Sequence, residues 1–300
     1  MTSPELTIGV DIGGTTIKAA VIARDGRIVA KASAPTPHTS VETDDALVEV
    51  ISALAAEHPV TAVGLAVAGF ISTDQQVVMF APHLAWRDSP VPARLGDRLG
   101  LPVVMEHDVN AAMWAEYRIG AAVGAEVALL IALGTGIGAG LIVHGELYRG
   151  AFGVAPELGH ITVVHDGRPC PCGKRGCWER YCSGTALAAT ATELGWPAET
   201  GQQVGVAARN GDQLALAAID DLAGWLARGL ALAVDVFDPE LIVIGGGVST
   251  IADLFLQTAE QRLAPLVTGA GYRPLPKLAA ADLQDTASMV GAGLLARQHP

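Results

Sequence analysis

The sequence contains the same short pattern twice: an apolar strand, a glycine-rich turn and a second apolar strand. The first copy covers Leu6–Ala23 with the turn Asp11-Ile12-Gly13-Gly14-Thr15-Thr16, and the second covers Val127–Val143 with the turn Gly134-Thr135-Gly136-Ile137-Gly138. A repeated unit of this kind indicates that one chain folds into two similar halves. We therefore expect two lobes with a cleft between them.

Strand and helix patterns alternate outside the two hairpins. An apolar run predicts a strand over Ala62–Ala68, for example, and helical periodicity predicts a helix over Thr250–Leu263. Such alternation is typical of an α/β fold with mixed sheets. We expect an N-terminal lobe of residues 1–120, joined by a C-terminal helix over residues 286–300, and a C-terminal lobe of residues 121–285.

Composition places the chain among large globular proteins. Of its 300 residues, 50% are hydrophobic and only 17% are charged, so it can bury a sizeable core. Its 31 acidic and 19 basic residues give a formal net charge of −12, which repels nucleic acid and anionic lipid over most of the surface. No apolar run is long enough to span a bilayer, and no basic cluster precedes an apolar leader. We expect a cytoplasmic protein without a nucleic-acid or membrane partner.

The first glycine-rich turn carries the groups that bind a phosphate. Its glycines let the backbone approach closely, its hydroxyl and N–H groups donate to phosphate oxygens, and Asp11 can hold Mg²⁺. A plain hairpin turn is the alternative, but a second loop of the same kind favours an ATP phosphate chain held between two hairpins. The residues predicted to contact ATP and Mg²⁺ here are Asp11, Gly13, Gly14, Thr15, Thr16, Lys18, Gly134, Thr135 and Gly136.

Other nucleotide motifs fit the glycines less well. The spacing Gly134-x-Gly136-x-x-Ala139 matches the dinucleotide fingerprint, but the chain continues as a strand where that motif requires a helix. No G-x-x-x-x-G-K-[ST] phosphate loop occurs. The run Gly245-Gly246-Gly247 follows a strand and precedes a helix, so it can pack against adenine or ribose, and a close-packed turn explains it equally well.

An acidic segment, Glu106-His107-Asp108, follows another predicted strand. A carboxylate at such a strand end projects into the cleft, where it can accept a proton from an attacking hydroxyl. Asp108 is the candidate general base, and its alternative role is that of a helix N-cap. Residue types and spacing alone do not choose between the two roles.

Three cysteines lie close together at Cys170, Cys172 and Cys177, and His160 precedes them. Three thiolates and one imidazole complete a tetrahedral zinc site that has no open position, so such an ion is structural. The alternative is a set of buried thiols, which a glycine-rich loop with this density of cysteines does not favour. The segment therefore predicts a structural zinc site.

The same segment carries side chains suited to a sugar. Glu157 and His160 are three residues apart, so one turn presents both on one side, and Glu179 follows the last cysteine of the cluster. Carboxylates and imidazole bind the hydroxyls of a hexose in fixed directions. His160 can bind zinc with one ring nitrogen and a hydroxyl with the other. Without the zinc loop, solvated surface charge would be the better explanation of both acids.

Together these motifs resemble the ROK family of sugar kinases, within the larger group of hexokinase, actin and heat-shock ATPase folds. The resemblance covers essentially the whole chain. It extends to actinobacterial ATP-dependent glucokinases, which share Phe80-Ala81-Pro82, Trp86-Arg87 and Phe152-Gly153-Val154-Ala155. It implies a two-lobed ribonuclease H/actin-like α/β fold with a zinc-binding loop, two phosphate loops, and Gly245-Gly246-Gly247 as the adenosine loop.

The resemblance also implies roles for single residues. Asp108 matches the catalytic Asp of the family motif Glu-Asn-Asp-x-Asn, and His107 stands where the family usually has an Asn that bonds the sugar. The Cys/His cluster matches the family zinc motif one for one. The implied glucose-binding residues are Gly69, His107, Asp108, Glu157, His160 and Glu179, and the implied zinc ligands are His160, Cys170, Cys172 and Cys177.

The resulting expectation is an ATP-dependent glucokinase that uses Mg²⁺, carries structural Zn²⁺ and forms a homodimer or homotetramer. Alternatives are a ROK kinase for mannose, fructose, N-acetylglucosamine or N-acetylmannosamine, and a glucokinase that uses polyphosphate. A sugar-sensing ROK regulator is disfavoured, because Asp11 lies too near the start for an N-terminal helix-turn-helix to precede it. An actin-like ATPase or chaperone module would lack the Cys/His loop and the sugar-binding acids.

Overall fold

Two five-stranded mixed sheets form the framework of the computed structural model, which describes residues 6–298. The outer limits of the predicted lobes, residues 1–5 and 299–300, lie outside the described residues. The first sheet consists of β1 (Leu6–Ile12), β2 (Thr16–Ile22), β3 (Ile28–Pro35), β4 (Val60–Val67) and β8 (Val103–His107). Its order is β3-β2-β1-β4-β8.

The second sheet repeats the arrangement of the first. It consists of β9 (Val127–Leu133), β10 (Ile137–Val143), β11 (Glu146–Leu147), β12 (Leu241–Gly245) and β13 (Lys277–Ala280), in the order β11-β10-β9-β12-β13. In both sheets the hairpin strands pair antiparallel. On its other side the first hairpin strand is followed in the sheet by two further strands that run parallel to it. The expected pair of similar α/β units is therefore confirmed.

The parallel strands of the first sheet end at one edge and in register. Asp11 pairs with Ala66 across β1 and β4, and Ala66 pairs with Glu106 across β4 and β8. The next row ends the strands with Val67 and His107. The carboxyl ends of parallel strands are where ligands bind in sheets of this type. The glycine hairpin and the acidic segment therefore start from the same edge.

The helices α3 (Asp108–Ile119) and α8 (Ala287–Ala296) pack between the two sheets. The α-helices are α1 (Ser40–Glu57), α2 (Val91–Leu99), α3 (Asp108–Ile119), α4 (Gly184–Glu193), α5 (Gly201–Arg209), α6 (Gln213–Phe237), α7 (Leu256–Leu263) and α8 (Ala287–Ala296). A hydrophobic cluster around α3 and α8 includes Ala66 of the first sheet and Val243 of the second. The α8 backbone lies directly on β1 and β4, because a Cβ at Gly9 or Gly64 would come within 1.9 Å of an α8 carbonyl oxygen.

A buried carboxylate ties α3 to the segment that leads into α8. Glu116, near the end of α3, is fully buried. Its carboxylate accepts hydrogen bonds from the backbone N–H groups of Ala121 at 2.8 Å, Asp282 at 3.2 Å and Leu283 at 2.8 Å. A buried charge is tolerated when several N–H groups satisfy it. This contact fixes α8 against α3.

The structure differs from the sequence expectations in two places. A small third sheet of β5 (Phe70–Ile71), β6 (Val78–Phe80) and β7 (Arg87–Ser89) was not expected, because strands of two or three residues carry no readable alternation. The helix predicted over Thr250–Leu263 is wrong: a 3₁₀ segment covers Gly247–Leu254, and α7 begins only at Leu256. Phe255, at φ −132°, separates the two.

Among the described helices, none combines the length and apolar character needed to cross a membrane.

Candidate active site and zinc centre

The first hairpin presents its turn to the cleft. Gly14 and Thr15 are exposed, while the turn is closed by the N–H of Gly13, which donates to the Thr16 carbonyl at 3.1 Å. Thr36, in the segment after β3, donates to the Gly13 carbonyl at 2.7 Å and fixes the turn from below. The exposed backbone and hydroxyl groups of this turn are therefore free to donate to an anion.

Asp11 lies at the base of that turn and is largely buried. Burial raises its pKa from the ordinary value of 3.8 to about 6, the nearby charge of Asp108 adds to the rise, and Lys18 opposes it. Lys18 lies on β2, directly opposite Asp11 on β1. Asp108 comes two residues after Glu106, which lies in the same row of strand ends as Asp11, and carboxylates gathered at one edge of a sheet attract a cation.

The second hairpin borders a cavity of about 480 Å³. The size suits a small-molecule ligand such as a nucleoside. Sequence reasoning named Gly134, Thr135 and Gly247 among its walls but missed the others, which lie on α4, on and just before α5, and on the 3₁₀ segment that begins at Gly247. The residues that line the cavity are Gly134, Thr135, Gly184, Thr185, Glu199, Thr200, Gly201, Gln202, Gly247, Val248, Thr250 and Ile251.

The other two residues of the predicted adenosine loop do not line that cavity. Gly245 is buried as the last residue of β12, where a Cβ would lie 3.1 Å from Leu130. Gly246 has φ +78°, and a Cβ there would come within 2.6 Å of the Leu133 backbone. Both glycines are therefore explained by close packing against β9. Gly136, in the second hairpin, lies next to Glu179, whose Oε2 would be 2.4 Å from a Cβ at that position.

Asp108 begins α3 but does not cap it. The N-cap residue is His107, and no side chain makes a cap hydrogen bond at this helix. One Asp108 oxygen, Oδ1, accepts from the N–H of Val109 at 2.8 Å and lies 3.3 Å from His107 Nε2. The side chain is 29% exposed. The helix-cap alternative therefore does not hold, and a carboxylate oxygen remains available to a ligand in the cleft.

The Cys/His cluster has the geometry of a closed zinc site. One ligand atom from each of His160, Cys170, Cys172 and Cys177 lies within 4.8 Å of all the others. The Cys172 and Cys177 sulfurs are 3.6 Å apart, and Cys170 Sγ is 3.7 Å from His160 Nδ1. Tetrahedral zinc with ordinary bond lengths sets its ligand atoms about 3.6–3.8 Å apart. The four side chains therefore fit zinc, with Nδ1 as the imidazole ligand atom.

The thiols of the cluster must lose their protons to bind a metal. Burial raises the pKa of the Cys170 thiol, which therefore stays protonated unless a metal stabilises the thiolate. Cys182, which follows the cluster, is fully buried beside the Leu222 carbonyl of α6. It lies outside the ligand set, as the sequence predicts.

The zinc loop rests on α6 through one tryptophan. The Trp178 indole N–H donates to the Trp225 carbonyl at 2.9 Å, and the ring lies so close to α6 that a Cβ at Gly229 would come within 1.9 Å of it. Trp178 is 1% exposed. The residue directly after it, Glu179, is thereby held between the zinc cluster and the second hairpin.

The predicted sugar-binding side chains gather around His160. Its Nε2 lies 3.8 Å from Glu157 Oε2, and its Nδ1 lies 3.7 Å from Glu179 Oε1. Burial raises the pKa of Glu157, against which the charges of His107 and His160 act. His160 can thus hold zinc with Nδ1 and leave Nε2 to Glu157 and a ligand.

A narrow pocket brings the strand ends of the first sheet to Glu157. Gly69 requires its glycine, because a Cβ would lie 2.7 Å from the Phe80 carbonyl oxygen of the small third sheet. Sequence reasoning missed the pocket residues outside the motifs, which share no spacing with them. The residues that line it are Gly69, Phe70, His107, Asn110, Ala139, Gly153, Val154, Ala155, Pro156 and Glu157.

Two sheets of the same topology, each with a glycine hairpin, define a two-lobed ATPase fold of the hexokinase and actin group. A sequence model of the ROK family matches residues 7–299. Streptomyces coelicolor glucokinase is 40% identical over 310 aligned residues, covering 98% of each chain. A ROK family glucokinase structure from Streptomyces griseus, in complex with glucose and AMPPNP, has a TM-score of 0.88 at 40% identity, covering 98% of this chain and 99% of that one.

A ROK hexokinase structure from Thermus thermophilus has a TM-score of 0.82 at 33% identity, covering 98% of both chains. The chain therefore belongs to the ROK family. The resemblance read from its motifs is confirmed.

Replacing Cys172 by Ser tests the zinc centre. Cys172 is the exposed ligand of the four, so the substitution costs little packing but removes one zinc bond. We expect metal analysis to fall from about one zinc ion per chain to near zero. Thermal stability should fall, and the KM for glucose should rise.

Cys182→Ser is the control, because it removes a thiol outside the cluster and should leave the zinc content unchanged. Freshly purified native protein without zinc would contradict the assignment.

Replacing Asp11 by Asn tests the electrostatic strain at the first hairpin. Because the folded-state pKa lies above the ordinary value, ionising Asp11 destabilises the fold as pH rises from about 4 to 6, and the loss is complete above that range. Asn removes this penalty. We expect D11N to raise the free energy of unfolding at pH 7.5 by about 1–3 kcal/mol in urea titrations without nucleotide or added Mg²⁺.

The gain should shrink as the pH is lowered towards 4.5. The control is D25N, which alters an exposed Asp after the same hairpin and should give no comparable gain. Equal stability of D11N and the native protein at pH 7.5 would show that Asp11 is not strained.

Proposed function

We propose that the protein is an ATP-dependent glucokinase, which transfers the γ-phosphoryl group of ATP to the 6-hydroxyl of glucose. The observation that carries the proposal is the position of Asp108. Asp108 follows the strand end at which Glu106 lies in register with Ala66 and Asp11, at the base of the phosphate hairpin. Its Oδ1 lies 3.3 Å from Nε2 of His107, which lines the same pocket as Glu157. A base at the junction of a phosphate site and a hydroxyl-binding site suits phosphoryl transfer to an alcohol. The Streptomyces relatives at 40% identity support it.

The two hairpins provide the phosphate site. The N–H groups of Gly13 and Gly134 close their own turns, so the residues from Gly14 to Thr16, together with Thr135 and Gly136, donate backbone N–H and hydroxyl groups to the phosphate oxygens, and Lys18 adds a positive charge. The cavity beside Gly247 holds the adenosine. Asp11 holds Mg²⁺, which when bound neutralises the charge of the phosphates.

The sugar lies between the pocket at Gly69 and the zinc loop. Glu157, His160 and Glu179 bind its hydroxyls from one side, and His107 and Asp108 bind them from the other. Because the zinc site is closed, zinc takes no part in the reaction and holds these side chains in place. Asp108 accepts the proton of the attacking hydroxyl, which is far too weakly acidic to ionise by itself at neutral pH.

We also propose that the protein works in the cytoplasm as a homodimer or homotetramer. The zinc ligands support this location, because they act only as thiolates and not as disulfides and therefore need a reducing compartment. Light scattering of the purified protein measures its oligomeric state.

A coupled ADP-release assay tests the reaction and its base together. We expect kcat/KM with ATP to be highest for glucose among glucose, mannose, fructose, N-acetylglucosamine and N-acetylmannosamine, and ATP to exceed polyphosphate as donor. D108N keeps the shape of the side chain but cannot take a proton. It should lower kcat by about 10²–10⁴-fold while calorimetry still detects glucose binding.

Sugar binding without turnover of any sugar would identify a sensor rather than a kinase. Native kcat in D108N would refute Asp108 as the base.

His107 is expected to contribute a hydrogen bond to the sugar. If its imidazole donates to or accepts from a hydroxyl, H107A should raise the KM for glucose about 2- to 12-fold, which corresponds to about 0.5–1.5 kcal/mol, and should change the KM for ATP less. H107N restores a side chain that can make such a bond and should stay near the native KM. Unchanged glucose kinetics in H107A would mean that the imidazole serves only Asp108.

A further inference from the structure

We propose that Glu106 and Arg149 form an ion pair that positions the base and the sugar-binding acids relative to each other. Neither residue is part of the site described above, and the inference rests on the proposed function. The pair joins two segments that are distant in sequence. One is the end of β8, which carries Asp108, and the other is the segment after β11, which leads to Glu157.

One oxygen of Glu106 holds the backbone around Asp108. Oε1 accepts from the His107 N–H and from the Asn110 side-chain amide, both at 3.0 Å. The Glu106 side chain is only 6% exposed. His107 comes directly before Asp108, and Asn110 lies two residues after it. Because Glu106 bonds to both, the orientation of Asp108 depends on Glu106.

The other oxygen of Glu106 holds Arg149. Oε2 accepts from Arg149 Nε at 2.8 Å and Nη2 at 2.7 Å. Because a carboxylate this deeply buried is costly without a partner, removing the guanidinium leaves an uncompensated charge beside the base. Glu106 then loses its fixed position, and with it the bonds to His107 and Asn110 lose theirs.

Arg149 in turn closes the loop that precedes Glu157. Its carbonyl accepts from the Ala155 N–H at 3.1 Å, and Gly150 has φ +70°, a conformation that favours glycine. The same loop rests on the small third sheet, where a Cβ at Gly153 would lie 2.6 Å from the Ile71 carbonyl oxygen. A movement of Arg149 is thus transmitted to Glu157, two residues beyond Ala155.

A second ion pair of the same construction lies away from the cleft and provides a matched control. Arg94 on α2 contacts Asp44 on α1, with Nε and Oδ2 2.7 Å apart, and Asp44 is 8% exposed. Asp44 also accepts from the Trp86 indole at 3.1 Å. Losing Arg94 therefore also leaves a buried carboxylate that keeps its other hydrogen bond. This pair holds none of the proposed substrate-binding residues.

The test compares R149M, R149K and R94M by steady-state kinetics and thermal unfolding. We expect R149M to lower kcat at least about 10-fold and to raise the KM for glucose at least about 5-fold, with less than about a 2-fold change in the KM for ATP. R149K keeps the charge but not both N–H bonds, and its kinetics should lie between R149M and the native protein. R94M should lose stability and keep native kinetics.

Coupling between the partners is measured in the double variant. If Glu106 and Arg149 act as one unit, E106Q/R149M should lose no more activity than the more impaired single variant, whereas independent effects would multiply. Glucose affinity by calorimetry gives the same comparison should R149M turn over too slowly. Native glucose kinetics in R149M, or effects of R94M equal to those of R149M, would overturn the proposal.

Turnover by the native protein in the same assay tests the proposed function separately. A native protein that phosphorylates no sugar would refute that function, whereas the ratio of variant to native affinity for glucose would still decide the role of the pair.

Discussion

The register of three parallel strands is the constraint on which the site depends. Asp11, Ala66 and Glu106 lie in one row across β1, β4 and β8. Because the strands end one residue beyond that row, the turn of the first hairpin, the Gly69 turn and the acidic segment start side by side. A shift of one residue in β8 would turn the side chains of that strand to the opposite face. The same register pairs Gly9 with Gly64, which lets α8 lie directly on β1 and β4, since a side chain at either glycine would push the helix away.

This arrangement gathers negative charge where the protein is partly dry. Burial raises the pKa of both Asp11 and Glu157, and Asp108 adds to the rise at each. Ligands that bring positive charge or hydroxyl donors therefore favour the ionised forms of these two carboxylates. Sites of this kind trade stability of the free protein for binding. The net charge of −12 repels anions over most of the surface. Only local donors and cations can therefore hold an anionic ligand.

Much of this could be predicted from the sequence, and the exceptions have a common cause. The hairpins, the Cys/His cluster and Asp108 are local patterns, and the structure places each where its pattern indicates. Arg149 could not be found in this way, because its partner Glu106 is brought to it only by the fold. The cavity walls at Glu199 and Gln202 are equally invisible. The sequence left two roles open for Gly245-Gly246-Gly247, and both occur: Gly245 and Gly246 pack against β9, and Gly247 lines the cavity.

The zinc loop shows why a metal is needed in this part of the fold. Between Gly150 and Ser183 the chain forms two 3₁₀ turns and two isolated antiparallel bridges but no longer helix or strand, so little regular hydrogen bonding fixes the side chains it carries. Trp178 attaches one end of the segment to α6, and the Arg149 contact attaches the other. The cluster lies between these attachments and joins His160 to the cysteines. Glu157 and Glu179 lie on opposite sides of the same imidazole, so an ion bound by the cluster would hold both acids in place relative to each other.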